Sequence, residues 1–501
     1  MSNEQIKRQD RVAIRQMPSG VPGLDEILGG GVPEYSFNIV AGAPGCGKTT
    51  LVHQFIFANA SPERRALYFT ILGEPAVKML RYQQQFSFFD ESKLENSIRF
   101  VNLSQIVLEQ DLNAVLEEII RQVEAYDARI VVVDSFRTVL RKAEPGATDM
   151  ELQGFVQRLA LHLTSWQVTS FLVGEYVEAE LRDNPVFTVA DGLLWLVQST
   201  AWNSIVRKMQ IMKLRGQESV PGLHTFRITQ DGLLTFPRTF GLAEESGHTK
   251  GTHRVSTGIR ELDALMGGGI PNGSSLLVAG PSGAGKSIMA SQFIAEGLVQ
   301  GEPGVVAIFE ELPAELVRRA AQFGLDFDTP QKDGTLSVIY IRPLDLSVDE
   351  TVHAIVSAVK QINAKRVVID SMVGFEMALA PDFRHEFRES LYRMIGALTR
   401  LGVTVLSTVE VEEDFTSMGL SNFAISFLSD DILRLRYVSI KGQLRKMLMV
   451  VKMRGSAHSI DMWEYKITEK GIIMGEPLRG YRGLTSGIPE SWPIVSADND
   501  S

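Results

Sequence analysis

Residues 42–49 read GAPGCGKT, and residues 280–287 read GPSGAGKS. Both stretches match the phosphate-binding pattern G-x-x-x-x-G-K-[ST], and each follows an apolar run and precedes a helical stretch, which is the context that the pattern requires. The glycines let backbone N–H groups converge on phosphate oxygens, and the helix N-terminus adds its positive end. One match could be a glycine-rich turn beside a lysine, but two matches favour two nucleotide-binding loops.

The two loops belong to a longer internal repeat. Residues 19–50, SGVPGLDEILGGGVPEYSFNIVAGAPGCGKTT, recur without a gap as residues 257–288, TGIRELDALMGGGIPNGSSLLVAGPSGAGKSI, at an offset of 238 residues. The repeat continues more loosely, with RIVVVDS matching RVVIDS and KLRG matching KMRG. Solenoid repeats have periods of about 20–50 residues, so a period this long indicates a duplicated domain.

Each copy alternates short apolar runs with longer helical stretches. FNIVA and RIVVVD are strand candidates in the first copy, and SLLVAG and RVVID are candidates in the second. Continuous apolar strands alternating with helices predict an α/β fold, a mostly parallel sheet flanked by helices. A polar, glycine-containing stretch at 238–253 marks the linker. We therefore predict domains at 1–245 and 246–490, followed by a flexible tail at 491–501.

The composition narrows the function classes. The chain has 501 residues, of which 44% are hydrophobic and 22% charged, and a net charge of −10. This balance is typical of a globular protein and disfavours non-specific binding to nucleic acid or to anionic membranes. The single cysteine, Cys46, permits no internal disulfide, and neither a leader nor a long apolar span is evident, so we expect a cytoplasmic protein.

Each loop supplies side chains for Mg-ATP. Lys48 and Lys286 should reach the β- and γ-phosphates, and Thr49 and Ser287 should hold Mg²⁺ through their hydroxyls. The predicted ATP-binding residues of the two loops are Gly45, Cys46, Gly47, Lys48, Thr49 and Thr50 in the first copy, and Gly283, Ala284, Gly285, Lys286 and Ser287 in the second.

A second metal contact requires a carboxylate at a strand end. Asp134 ends RIVVVD and Asp370 ends RVVID, so both fit the Walker B position, the carboxylate partner of the metal. An aspartate just past a strand can also be a turn residue or a helix cap. The paired placement in the two copies favours the functional interpretation.

The copies differ where hydrolysis needs a base. In the second copy, VVAIFE is followed by a second acid, so Glu310 and Glu311 are candidates for activating water or an acceptor hydroxyl, although a solvated turn would look the same. In the first copy, Leu72 and Gly73 occupy these positions, and Glu74 lies one residue late. Either Glu74 substitutes from a shifted loop, or the first copy binds ATP and hydrolyses it poorly; we expect the second.

These motifs together resemble the KaiC family. The openings MPSGVPGLDEILGGG and STGIRELDALMGGG, the two P-loops, IFEELP and the KLRG and KMRG pair carry the resemblance, which extends from about residue 15 to about residue 492. It implies two tandem RecA-like P-loop NTPase domains with ATPase and serine/threonine autokinase activity. It also implies a homohexamer of two stacked rings with ATP and Mg²⁺ at subunit interfaces, and a KaiB-like or other signalling protein as a candidate partner.

The resemblance assigns further residues. Lys213 and Arg215 in the first copy, and Lys452 and Arg454 in the second, would reach the nucleotide of a neighbouring subunit. Without the family, each pair is an ordinary charged strand end. The resemblance also makes Glu310, with Glu311 as a second candidate, the general base of the second ring.

The phosphoacceptor segment departs from the family pattern. KaiC carries an adjacent Ser-Thr pair, whereas this chain has Ser426 followed by Phe427. Autophosphorylation is therefore predicted at Ser426 alone, although a serine here could equally be a helix N-cap. This departure from the family pattern weakens the case for ordered two-site phosphorylation and a full clock cycle, and leaves open whether the chain runs a clock.

Two other function classes fit parts of the sequence. One is an ATP-gated signalling scaffold with little turnover, which the missing glutamates of the first copy favour. The other is a RecA/DnaB-like nucleic-acid motor, which the acidic balance and the lack of Lys/Arg-rich loops disfavour. DNA-stimulated ATP turnover would be the mark of the motor.

Overall fold

A computed structural model describes residues 14–71, 76–109, 111–143, 149–181, 184, 186–201, 204–238, 253–341, 347–378, 387–411, 429–484 and 489–491. The predictions made for residues 72–74, for most of the linker and for Ser426 concern residues outside these ranges. The chain divides into two compact units, Met1–Thr239 and Phe240–Ser501.

A nine-stranded sheet forms the first unit. Its spatial order is β11-β10-β9-β8-β3-β7-β6-β4-β5, in which β3 to β8 are parallel and β9 to β11 form an antiparallel extension. The strands are β3 Phe37–Gly42, β4 Ala66–Thr70, β5 Ile98–Asn102, β6 Ile130–Asp134, β7 Thr169–Glu175, β8 Gly192–Ala201, β9 Ser204–Leu214, β10 His224–Thr229 and β11 Gly232–Phe236. A separate two-stranded ribbon joins β1 Gln16–Met17 to β2 Val32–Pro33.

The second unit repeats this plan. Its sheet has the order β16-β15-β17-β18-β14-β19-β20-β21-β22, with β14 to β19 parallel and β20 to β22 antiparallel. The strands are β14 Ser275–Gly280, β15 Gly304–Ile308, β16 Leu336–Tyr340, β17 Arg366–Asp370, β18 Thr404–Glu410, β19 Asp431–Ile440, β20 Gln443–Met453, β21 Trp463–Thr468 and β22 Gly471–Pro477. Two short ribbons pair β12 Arg254–Val255 with β13 Ile270–Pro271, and β23 Tyr481–Arg482 with β24 Glu490–Ser491.

Helices connect the strands of each unit. In the first unit they are Leu24–Leu28, Lys48–Asn59, Ala76–Gln83, Ser104–Glu109, Leu112–Tyr126, Phe136–Ala143, Asp149–Ser165 and Val186–Val189, with 3₁₀ turns at Glu91–Lys93 and Glu178–Leu181. In the second unit they are Arg260–Leu265, Lys286–Val299, Pro313–Gln322, Asp328–Asp333, Val348–Ile362, Met372–Ala378 and Phe387–Arg400. None of the helices within the described ranges is long and apolar enough to span a bilayer.

The cores explain why these segments take this form. The central strands are apolar on both sides, and Ile130, Val131, Val132 and Val133 of β6 are all completely buried. Among the described residues, two large apolar clusters in each unit cover the two faces of its sheet, and the second unit has a further small cluster. Polar side chains cap some of the flanking helices: the Asp111 side chain accepts a hydrogen bond from the backbone N–H of Ala114, and the Ser347 side chain accepts one from the backbone N–H of Glu350. The predicted fold of two tandem RecA-like domains is therefore confirmed.

The sheet order places the ligand crevice of each unit. The loop-bearing strands β3 and β14 lie inside their sheets. The next four strands of each unit, β4 to β7 and β15 to β18, lie on one side of the loop-bearing strand, and the later strands, β8 to β11 and β19 to β22, lie on its other side. Parallel α/β sheets bind ligands at the carboxyl ends of strands around such a reversal. The two phosphate loops follow β3 and β14 directly, so both face the crevice.

Candidate nucleotide-binding sites

The two phosphate loops have the same backbone geometry. Gly45 and Gly283 have φ angles of 73° and 72°, and Gly47 and Gly285 have φ angles of 99° and 98°. Glycine adopts this left-handed conformation without the steric cost that side chains incur. At Gly47 a Cβ atom would also lie 2.8 Å from the side chain of Ile228. The sequence pattern thus reflects a backbone requirement in both units.

The loop lysines fold back over their loops. The Lys48 Nζ donates to the carbonyl oxygens of Gly42 at 3.0 Å and Ala43 at 2.7 Å. The Lys286 Nζ does the same with Gly280 at 2.9 Å and Pro281 at 2.8 Å. Each ammonium group therefore lies over the loop where the predicted phosphates would bind. The Cys46 side chain is fully buried, so it can contribute to phosphate binding only through its backbone.

A cavity of about 410 Å³ opens beside the first loop. It combines loop residues with side chains from the ends of β4, β6 and β7. Its lining includes the predicted residues Gly45, Gly47, Lys48, Thr49, Thr50 and Asp134, and also Tyr68, Thr70, Ser135, Val173 and Glu175. The fold brings the predicted first-site residues of the loop and of the Walker B strand together.

The Walker B carboxylate of this unit is tightly held. Asp134 Oδ2 accepts hydrogen bonds from the Thr49 hydroxyl at 2.8 Å and from the Tyr68 hydroxyl at 2.7 Å. Burial raises the pKa of the Asp134 carboxyl, while these two hydrogen bonds and the charge of Lys48 act in the opposite direction. A hydroxyl and a carboxylate that meet beside a lysine are the protein ligands that a Mg-nucleotide site requires.

The second unit arranges its carboxylates differently. Asp370 Oδ1 accepts a hydrogen bond from the Thr408 hydroxyl at 2.5 Å. Glu310 Oε1 accepts one from the Ser371 hydroxyl at 2.7 Å, directly beside Asp370. Burial lowers the pKa of the Lys286 ammonium, and the nearby charges of Glu410, Asp370 and Glu310 counteract this effect. Glu310 thus lies close to the second phosphate loop.

The two predicted bases have different surroundings. Glu311 forms a 2.7 Å ion pair with Arg319 of the following helix and is half-buried. Burial raises the pKa of the Glu311 carboxyl, and the charge of Arg319 opposes the shift. Glu310 is exposed and contacts Ser371. The geometry therefore favours Glu310 as the group that would contact a substrate, because the Glu311 carboxylate is engaged in an ion pair with Arg319.

The cationic pairs lie away from the loops of their own units. Lys213 is paired with Leu193, and Lys452 with Ile432, near the amino ends of the parallel strands. The register sets Lys213 two strands from β3 and three residues back from Gly42, about 10 Å in each direction at usual strand spacings.

The heads of these cations have partners within their own units. Lys213 donates to the Thr188 carbonyl at 3.0 Å, and burial lowers the pKa of its ammonium group. Lys452 donates to the Ser429 carbonyl at 2.7 Å. Arg215 pairs with Asp191 at 3.2 Å, and Arg454 pairs with Asp430 at 3.6 Å, with both arginine side chains largely exposed. The structure does not bring the four cations to the predicted sites of their own chain.

Sequence reasoning missed several site residues. Glu175 and Glu410 end β7 and β18, and each is the register partner of the first glycine of its phosphate loop. The Glu410 carboxylate lies 3.9 Å from the Lys286 ammonium group. The signal was present, because TSFLVGE and TVLSTVE both end on glutamate. Its meaning depends on knowing which strand lies beside the loop-bearing strand.

The fold and the sites define each unit as a P-loop ATPase domain of RecA-like architecture. A family model described as the ATPase KaiC matches residues 17–239 and matches again at residues 255–479. The chain therefore belongs to the KaiC family and carries its ATPase domain twice.

Named relatives match over almost the whole chain. The circadian clock oscillator protein KaiC of Picosynechococcus sp. is 27% identical over 487 residues, which cover 95% of this chain and 92% of that protein. The circadian clock protein KaiC3 of Synechocystis sp. is 28% identical over 494 residues, which cover 96% of each. The similarity thus includes both ATPase domains.

Proposed function

We propose that this KaiC-family ATPase binds Mg-ATP at subunit interfaces in both units of a homohexamer. Phosphoryl chemistry is concentrated in the second unit, with Glu310 as the base. The observation that carries the proposed role of the second unit is the position of Glu310, which is exposed and accepts a hydrogen bond from Ser371, the residue that follows Asp370.

The residues of both units fit a magnesium nucleotide. In the first unit the Thr49 hydroxyl contacts the Asp134 carboxylate, and the Lys48 ammonium group lies over the same phosphate loop. Ser287, Asp370 and Lys286 occupy the same places in the repeat. Bound Mg-ATP supplies the phosphoryl group and screens its charge. The lysines bind and orient that group, and Glu310 accepts a proton from water or from an acceptor hydroxyl.

Autophosphorylation at Ser426 is part of this proposal. Intact-mass spectrometry after incubation with Mg-ATP should show one added phosphate per chain, and Ser426→Ala should show none. Phe427 beside it offers no second hydroxyl, which is why one phosphate is expected. The matched control is Ser421→Ala in the same segment. Labelling of Ser426→Ala to the wild-type level would overturn the assignment of the acceptor.

Nucleotide should also control assembly. A ligand that binds only the assembled state stabilises it by mass action. Light scattering should therefore show hexamers with ATP and smaller species after nucleotide removal. If the first unit is mainly an assembly site, Lys48→Ala should weaken the hexamer more than Lys286→Ala does. Persistence of the hexamer after complete removal of nucleotide would contradict the interface placement.

An ATP-gated signalling scaffold is the second candidate function. It is favoured by Leu72 and Gly73, which stand where the second unit has its glutamates. Glu175 in the first cavity weakens this argument, because it supplies a carboxylate from another strand. Negligible turnover by the wild-type protein would favour the scaffold, with a KaiB-like or other signalling protein as the partner that binds it.

A further inference from the structure

The Walker B carboxylates of the two units receive their hydroxyl contacts from different strands. In the first unit the donor from a neighbouring strand is Tyr68 on β4, at 2.7 Å from Asp134 Oδ2, in addition to the Thr49 hydroxyl of the phosphate loop. In the second unit it is Thr408 on β18, at 2.5 Å from Asp370 Oδ1. Each donor lies on a strand adjacent to the Walker B strand, but on opposite sides of it.

The positions of the two donors are exchanged between the units. Tyr68 corresponds to Val306 in the repeat, and both residues are buried on equivalent strands. Thr408 corresponds to Val173, because each pairs with the residue that lies two positions before the final glycine of the loop-bearing strand. Thr408 pairs with Val278, and Val173 pairs with Val40. Counting only the strands that flank the Walker B strand, each unit therefore keeps one hydroxyl at its carboxylate and has valine at the other position; in the first unit the loop residue Thr49 donates as well.

We propose that Tyr68 and Thr408 are equivalent positioning residues, each orienting the Walker B carboxylate toward the metal side of its own site. The inference rests on the proposed binding of Mg-ATP. Partners that hydrogen-bond a metal-binding carboxylate fix its direction and commonly contribute about 10–100-fold to metal affinity.

The surroundings of Tyr68 support an orienting role. The side chain is completely buried, and its ring centroid lies 4.5 Å from that of the buried His53. The hydroxyl is therefore held in place by packing before any ligand binds. Val173 is the direct cross-strand partner of Asp134 and lines the same cavity. A hydroxyl at position 173 would thus lie beside Asp134, as Thr408 lies beside Asp370.

The test uses the full-length chain carrying Lys286→Ala, so that nucleotide binds mainly at the first site. Binding of a fluorescent ATP analogue is titrated with Mg²⁺. Adding Tyr68→Phe should raise the apparent dissociation constant for Mg²⁺ about tenfold and leave metal-free nucleotide binding unchanged. Adding Val173→Thr to Tyr68→Phe should restore most of the loss. Val173→Thr without Tyr68→Phe is the control and should change little.

Each outcome decides the assignment. An unchanged Mg²⁺ dependence in Tyr68→Phe overturns it. A loss that Val173→Thr does not restore, in a protein with the parental melting temperature, also overturns it, since Tyr68 then acts through packing. Loss of nucleotide binding in the Lys286→Ala parent contradicts first-site ATP binding itself. If Tyr68→Phe does not fold, the same Mg²⁺ titration is made at the second site, with Thr408→Val added to a Lys48→Ala chain. An unchanged apparent dissociation constant for Mg²⁺ then overturns the assignment.

Discussion

Glu310→Gln is expected to lower second-site phosphoryl chemistry about 100-fold or more, the usual contribution of a positioned general base. The glutamine oxygen can still accept the Ser371 hydrogen bond, so the local structure should survive while the proton acceptor is lost. Phosphate release and incorporation of the γ-phosphate into the protein are the measurements. Lys286→Ala gives the level that remains when the second site is silent, and Glu310→Gln should fall to nearly that level.

Glu311→Gln is the matched control, because it makes the same chemical change one residue away. Glu311 is engaged with Arg319, so its replacement should alter phosphoryl chemistry only a few-fold, in keeping with a weakened ion pair of a partly exposed group. The reverse result, a large loss in Glu311→Gln and a small loss in Glu310→Gln, would exchange the two roles. If wild-type turnover is no higher than the turnover of Lys286→Ala, the ATP-gated signalling scaffold is the favoured function.

The phosphate loops could be predicted from sequence because their requirements are local. The left-handed glycines, the lysine that folds over the loop and the helix that follows are all encoded within eight residues. The Walker B aspartates were equally accessible, since each ends an unbroken apolar run. Short-range rules of backbone conformation and strand burial therefore predict the fold, which the structure confirms, and the centre of both candidate sites.

Contacts between strands could not be predicted in this way. Tyr68 and Thr408 contact their aspartates only because β4 and β18 lie beside β6 and β17, an order set by the whole sheet. The difference between Glu310 and Glu311 has the same origin. The sequence places the two acids together, but Arg319 lies on a helix eight residues away and engages only Glu311.

Arg454 belongs to the KMRG cation pair of the second unit, which is predicted to reach the nucleotide of a neighbouring subunit. Arg454→Ala should reduce second-site turnover about 1,000-fold or more if the arginine acts on the nucleotide of a neighbouring subunit, as arginine fingers do. Arg454 pairs with Asp430 near the amino ends of the parallel strands, whereas the phosphate loop of its own unit follows a carboxyl end. From this position Arg454 cannot act on the nucleotide bound by its own loop. Arg479→Ala is the matched control. Arg479 is similarly exposed and paired with one carboxylate, Asp461, at 3.0 Å, and its loss should be nearly neutral.

Mixing subunits separates action on a neighbour from action within one chain. Arg454→Ala subunits keep an intact second loop, and Lys286→Ala subunits keep an intact Arg454, so each homohexamer should be inactive at the second site. In randomly mixed rings of equal parts, about a quarter of the interfaces join an intact loop to an intact arginine, because each head-to-tail interface draws one side from each subunit. Turnover should therefore recover to about that fraction. Mixed rings, verified by mass, that remain inactive would show that Arg454 and Lys286 act within the same subunit.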